Sequence, residues 1–76
     1  MLTEDQEKVF GSLSIGSLTP LSVVWDENTF EDADDMVNAV VELQERGLVR
    51  KVRDEDGTFW TLTRSGQSLK RRRGTA

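Results

Sequence analysis

The chain contains no cysteine and no histidine. Without cysteine, neither disulfides nor a thiolate zinc site can support the fold. Without histidine, the commonest general base and the commonest metal ligand are both missing. No apolar run approaches the ~20 residues that a membrane-spanning helix needs. No signal peptide opens the chain, so the expectation is a cytoplasmic protein with no membrane partner. The sequence also lacks a phosphate-binding glycine loop, a nucleophile–base pair and a metal constellation. Neither a cofactor nor an enzymatic activity is expected. The acids between 26 and 35 do not form a calcium loop: counting from Asp26, the sixth position, which calls for glycine, holds Glu31. Paired carboxylates at an exposed helix start have no apolar pocket to raise a pKa for acid–base work.

What remains is one small domain, expected over 1–73, with a disordered end at 74–76. Seventy-six residues support a single core, because a chain of this size buries only ~60% of the surface its unfolded form exposes. The formal charge of −4 is unevenly divided. Residues 1–45 hold eleven acids and one base, Lys8, a balance of −10; residues 46–76 hold nine bases and three acids, a balance of +6. The second half therefore carries the charge that nucleic acid attracts. Seven arginines against three lysines, abundant acids and no cysteine resemble the residue usage of salt-loving archaea. At molar salt the Debye length falls to ~3 Å, which weakens acid–phosphate repulsion and also most counterion-driven affinity.

The element order follows from caps and periodicity. Thr3, with Gln6 three residues on, forms a capping box, and Val9, Phe10 and Leu13 fall at helical spacing, predicting a helix over 3–15 with Gly16 as its stop. Ser17-Leu18 reads as a short extended piece. Thr19 as N-cap and Pro20 at the first helical position open a second helix over 20–27, with Leu21, Val24 and Trp25 as its apolar stripe. A third helix starts between Thr29 and Ala33, with Asp32 as the candidate N-cap and Phe30 folding back as an anchor. It buries Met36, Val40 and Leu43 and stops at Gly47. The period then changes to alternation. "LVRKVR" and "TFWTLT", separated by "DEDG", predict a hairpin over 48–53 and 58–63. Trp60 alternates in phase with Leu62 and is expected in the core, with Phe59 on the other face. Thr63 caps a last short helix, "RSGQSLKRRR", expected to fray after Arg71.

The fold class is therefore α+β: three helices, a short strand, a two-stranded wing and a short C-terminal helix. That order is a winged helix-turn-helix. Over 36–66, "LQERGLVRKV" and "DGTFWTLTRSG" resemble the wing region of MarR-like winged-helix regulators. The resemblance rests on Leu43, Gly47, Leu48 and Val49, then Leu62, Thr63 and Gly66. It implies a DNA-binding transcriptional regulator, with the third helix in the major groove and the wing along the phosphates. The family positions facing DNA near the start of that helix fall on Asp34, Asp35 and Asn38. Asn38 suits a bidentate pair with adenine.

The third helix is otherwise acidic, with Glu31, Asp32, Asp34, Asp35 and Glu42, a poor neighbour for phosphate. The expected phosphate contacts lie elsewhere: Arg50, Lys51 and Arg53 on the wing, Arg64 at the start of the last helix, and Lys70, Arg71, Arg72 and Arg73 in the tail. Lys51 and Arg53, two apart, share one face of their strand. Wing and tail together number enough cations to matter through counterion release. Set against this, charges on a small wing are commonly a solvated face and a basic end commonly a solubilising tail. An alternative use of the same fold is a protein-binding module, in which the five acids dock a basic partner. The opposite charges of the two halves also suit a homodimer.

Overall fold

A computed structural model describes residues 1–74. Four helices and one two-stranded antiparallel sheet follow in the order α1 (Glu4–Ser12), α2 (Leu21–Glu27), α3 (Ala33–Glu45), β1 (Val49–Asp54), β2 (Gly57–Leu62) and α4 (Arg64–Gly74). The order is compatible with a winged-helix layout.

In α1 the capping box forms in full. Gln6 N–H donates to Thr3 Oγ1 at 3.2 Å, and Thr3 N–H donates to Gln6 Oε1 at 3.1 Å, so two otherwise unpaired helix-start donors are satisfied reciprocally. The helix ends at Ser12, three residues before the expected end. Leu13 turns to extended geometry (φ −95°, ψ 127°) and is fully buried. The carbonyls left over at this end are taken by a lysine from α4, so Gly16 is not the stop. It sits beyond, in a turn with φ 80°.

Thr19 is not the N-cap of α2. Its N–H and its carbonyl both pair with Trp60, each at 2.8 Å, forming one isolated bridge on the edge of β2, while the expected extended piece at Ser17-Leu18 forms no strand. Pro20 takes the N-cap position, with no side-chain hydrogen bond. Val24 is buried, but Trp25 is 40% exposed, which corrects its expected place in the core. A helix of seven residues needs only a narrow buried face, supplied by Val24 and half-buried Leu21. Trp25 instead stacks on Phe30, with ring centroids 6.0 Å apart, and Phe30 folds back into the core as expected. Asn28 closes α2 by donating to the Val24 carbonyl at 3.0 Å and to Ser12 Oγ at 2.6 Å.

Asp32 caps α3, accepting from Asp35 N–H at 3.0 Å. Met36, Ala39, Val40 and Leu43 are buried, packed with Val9 and Phe10 of α1 in one core. Its far end is a Schellman turn. Gly47, at φ 76°, donates to the Gln44 carbonyl at 2.9 Å, and Leu48 donates to the Leu43 carbonyl at 3.0 Å.

The residues behind the family resemblance meet at one point. Thr63 N–H donates to the Leu48 carbonyl at 3.0 Å and its hydroxyl donates to the Gly47 carbonyl. That hydroxyl also caps α4 by accepting from Gly66 N–H at 3.1 Å. A Cβ at Gly66 would stand 2.0 Å from the Leu48 oxygen. The exit of α3, the root of the wing and the start of α4 are thus locked around two carbonyls, and only glycine fits the third side.

The strands lie one residue from the expected 48–53 and 58–63. The register pairs Val49 with Leu62, Lys51 with Trp60, Val52 with Phe59, and Asp54 with Gly57. Trp60 and Leu62 share the core-facing side, as expected from their phase. The Trp60 indole N–H is buried without a hydrogen-bond partner among the described residues, a cost of about 1–3 kcal/mol. The last helix does not fray after Arg71. It continues to Gly74 because Leu69 packs on the core and Lys70 and Arg73 are tied to α1. Gly74 therefore belongs to α4, and 75–76 lie outside the described residues.

Candidate nucleic-acid interface

The hairpin is held rigid at its tip and its base. Asp56 N–H donates to Asp54 Oδ1 at 2.8 Å, an aspartate turn of the kind that starts tight loops. Gly57 closes the loop at φ 131°, outside the range that other residues tolerate. At the base, Val49 and Leu62 are anchored in the core. A short, well-anchored ribbon presents its outer charges without a large ordering cost.

Those charges divide by register. Lys51 and Arg53 stand on the face of Val49, opposite Trp60 and Thr58, while Arg50 stands on the other face, opposite Thr61 and next to the Val52–Phe59 pair. All three cations are exposed; Val52 and Phe59 are half-buried. Arg64, at the first position of α4, is exposed beyond the end of β2, and Arg46, the C-cap of α3, is exposed at the root of β1. The position of Arg46 one turn before the wing makes it a further cation of the same edge.

The tail cluster is not one surface. Lys70 Nζ donates to the carbonyl of Phe10 at 2.8 Å and to that of Leu13. It thereby satisfies the C-terminal end of α1, where the dipole favours a cation. Burial holds its pKa below the usual lysine range. Arg73 makes a bidentate pair with Glu7, at 2.5 and 2.8 Å, and lies over the Phe10 ring at 5.5 Å. The guanidinium hydrogen bonds hold the Glu7 carboxyl below its ordinary pKa, and Glu7 raises that of Arg73 in return. Arg71 and Arg72 are exposed on the same helix.

On α3, Asp34, Val37, Asn38, Val41 and Glu45 are exposed, with Val37 at 42% and Val41 at 40%. The two valines, four apart, are neighbours on the helix surface. They are the feature that sequence reasoning missed. The buried stripe of Met36, Val40 and Leu43 is completed by Ala39, and Val37 lies outside it. The other acids lean towards α1. Glu42 accepts from Gln6 Nε2 at 3.1 Å. Asp35 lines a cleft of about 340 Å³ with Glu4, Asp5, Lys8, Thr29, Phe30 and Glu31. Partial desolvation, then the charges of Asp32, Asp5 and Glu31, push the Asp35 carboxyl above its ordinary pKa. Lys8 is the cation in this cleft, donating to the Thr29 carbonyl at 2.5 Å, lying 5.4 Å from the Phe30 ring centroid and 3.8 Å from both Glu4 and Asp5.

Among the described residues no group of acids is arranged to hold a metal ion, and no helix is long and apolar enough to cross a membrane. Comparison with known proteins finds no family model, no curated protein and no solved structure that matches this chain.

Proposed function

We propose that this chain is a winged-helix protein that binds double-stranded DNA through its wing and acts as a transcriptional regulator rather than an enzyme. The observation that carries this reading is the exposed hairpin with Arg50, Lys51 and Arg53 on its two faces and Arg46 and Arg64 at its root. Three cations on one anchored ribbon and two at its root suit a phosphate backbone, whose contacts supply affinity without reading sequence. Arg71 and Arg72 extend the basic surface. Lys70 and Arg73 serve the fold and are left out of the proposed contacts. Asn38, exposed on the middle of α3, is the proposed base contact.

A second reading is favoured by the exposed valine pair on an otherwise acidic helix. Protein-docking surfaces combine an apolar centre with a charged rim. In this reading Asp34, with Glu31, Asp32 and Asp35 at the helix start, receives a basic protein partner. Glu42 contributes less, because it is hydrogen-bonded to Gln6.

Fluorescence anisotropy with a mixed-sequence duplex separates the two. The DNA reading expects binding that weakens with salt and is largely lost on replacing Arg50, Lys51 and Arg53 by alanine. Binding unaffected by that substitution, or absent at low salt, rejects it.

A further inference from the structure

Charge is sorted along the length of the wing. Arg50 and Lys51 occupy the second and third positions of β1, with Arg46 and Arg64 at its root, and all four are exposed. Glu45, beside Arg46, is the acid nearest them in the chain. The outer end is different. Arg53 is followed at once by Asp54, Glu55 and Asp56, all exposed, and β2 returns without a charged residue. The turn between the strands fixes these acids at the tip, because Asp54 Oδ1 accepts from Asp56 N–H at 2.8 Å and Gly57 closes the loop at φ 131°. At ~3.3 Å per strand residue, Arg50 stands ~13 Å along β1 from Asp54. That exceeds the Debye length of ~8 Å at physiological salt. The attraction of the root for phosphate and the repulsion by the tip therefore act separately instead of cancelling, and Arg53 is the border between them.

We propose that the wing meets duplex DNA along its root and middle only, and that Asp54, Glu55 and Asp56 hold its tip off the duplex. The limit rests on the reading of the wing as a DNA contact, and it adds what kind of contact that is. Cations from Arg46 and Arg64 out to Arg53 lie along one run of phosphates. The tip cannot enter a minor groove, because a narrow groove concentrates the negative potential that repels these acids. The wing then supplies affinity without reading bases, and sequence preference falls to Asn38.

The test reverses the tip charges. Glu55→Lys with Asp56→Lys keeps the turn, since Asp54 remains, the Asp56 bond is made by its backbone, and neither residue has positive φ. Asp26→Lys with Glu27→Lys, on exposed positions at the end of α2, makes the same change in net charge away from the wing. Fluorescence anisotropy with a mixed-sequence duplex is measured for the wild type and both variants across a range of salt, and thermal melts by circular dichroism establish that each is folded. The tip variant is expected to bind at least tenfold more tightly than wild type near physiological salt, with a salt slope steeper by about two, one for each new phosphate contact. The α2 variant is expected to stay within about threefold of wild type there, because distant charges are screened. A wild type that binds, with a tip variant that gains no affinity or gains no more than the α2 variant, overturns the limit and leaves the DNA reading standing. A wild type that does not bind even at low salt overturns the DNA reading and the limit with it.

Discussion

The two halves of this chain use charge differently. In the first 45 residues, with a balance of −10, several acids have a task in the fold. Asp32 caps α3, Glu42 holds Gln6, and Glu7 receives Arg73. In the wing, Arg50, Lys51 and Arg53 are exposed on a ribbon whose root is anchored in the core by Val49, Trp60 and Leu62. Charge that stabilises the fold is expected to affect unfolding and its pH dependence. Charge free to meet a partner is expected to affect binding and leave unfolding alone. That difference separates Lys70 and Arg73 from the wing cations, although all are exposed-type residues in the same basic half.

The contrast is broken most severely at the lock between the halves. Gly66→Ala places a methyl group 2.0 Å from the Leu48 oxygen, well inside any allowed contact. In a domain this small, a shift of backbone there is expected to unfold much of the population at 25 °C, measured as lost cooperative thermal unfolding by circular dichroism. Next comes the wing. Replacing Arg50, Lys51 and Arg53 by alanine is expected to reduce DNA affinity at least tenfold and lower the salt slope by about three, roughly one per lost phosphate contact. The same variant should unfold within ~0.5 kcal/mol of wild type, as exposed substitutions usually do. Lys70→Met reverses that pattern. It leaves two carbonyls at the end of α1 without their cation and is expected to cost about 2 kcal/mol in urea unfolding, with little change in DNA affinity.

The smallest effects are pH signatures, and they have opposite signs. Glu7 has a folded pKa below its ordinary 4.5 because of Arg73. Its contribution is present above that ordinary value and is lost as pH falls through the lower folded pKa. Glu7→Gln should therefore be slightly less stable than wild type at neutral pH and equal to it in strong acid. Asp35 has a folded pKa above its ordinary 3.8, so its ionisation opposes folding. Asp35→Asn should be slightly more stable at neutral pH, with the gain fading as pH drops through the raised value. Thermal melts between about pH 2.5 and 7, spanning ordinary carboxylate titration, distinguish the two.

Much of this architecture was legible because local rules agreed with tertiary demands. The Thr3–Gln6 box, the Asp32 cap, the Gly47 stop and the Trp60–Leu62 phase all depend on neighbours within a few residues. What could not be read depended on distant partners. Helix α1 stops early because Lys70, nearly sixty residues on, supplies its end. Trp25 leaves the core because Val24 and half-buried Leu21 fill the space beneath a helix of two turns. Thr19 does not cap because Trp60 takes its backbone. The terminal cations looked like one cluster, yet the geometry of α4 turns two of them onto α1. The site follows the same rule: Lys51 and Arg53 share a face by simple alternation, while the exposure of Val37 and Val41 required knowing that Ala39 closes the core.

The central claim is that the wing, not the acidic helix, meets DNA. Amide chemical-shift mapping of labelled protein titrated with a mixed-sequence duplex at low and high salt tests it directly. The account expects shifts across β1 and β2 and at Arg64, fading as salt rises, with those on α3 confined to the neighbourhood of Asn38. Shifts centred on 34–45 with a silent wing, or no shifts at either salt, would contradict it.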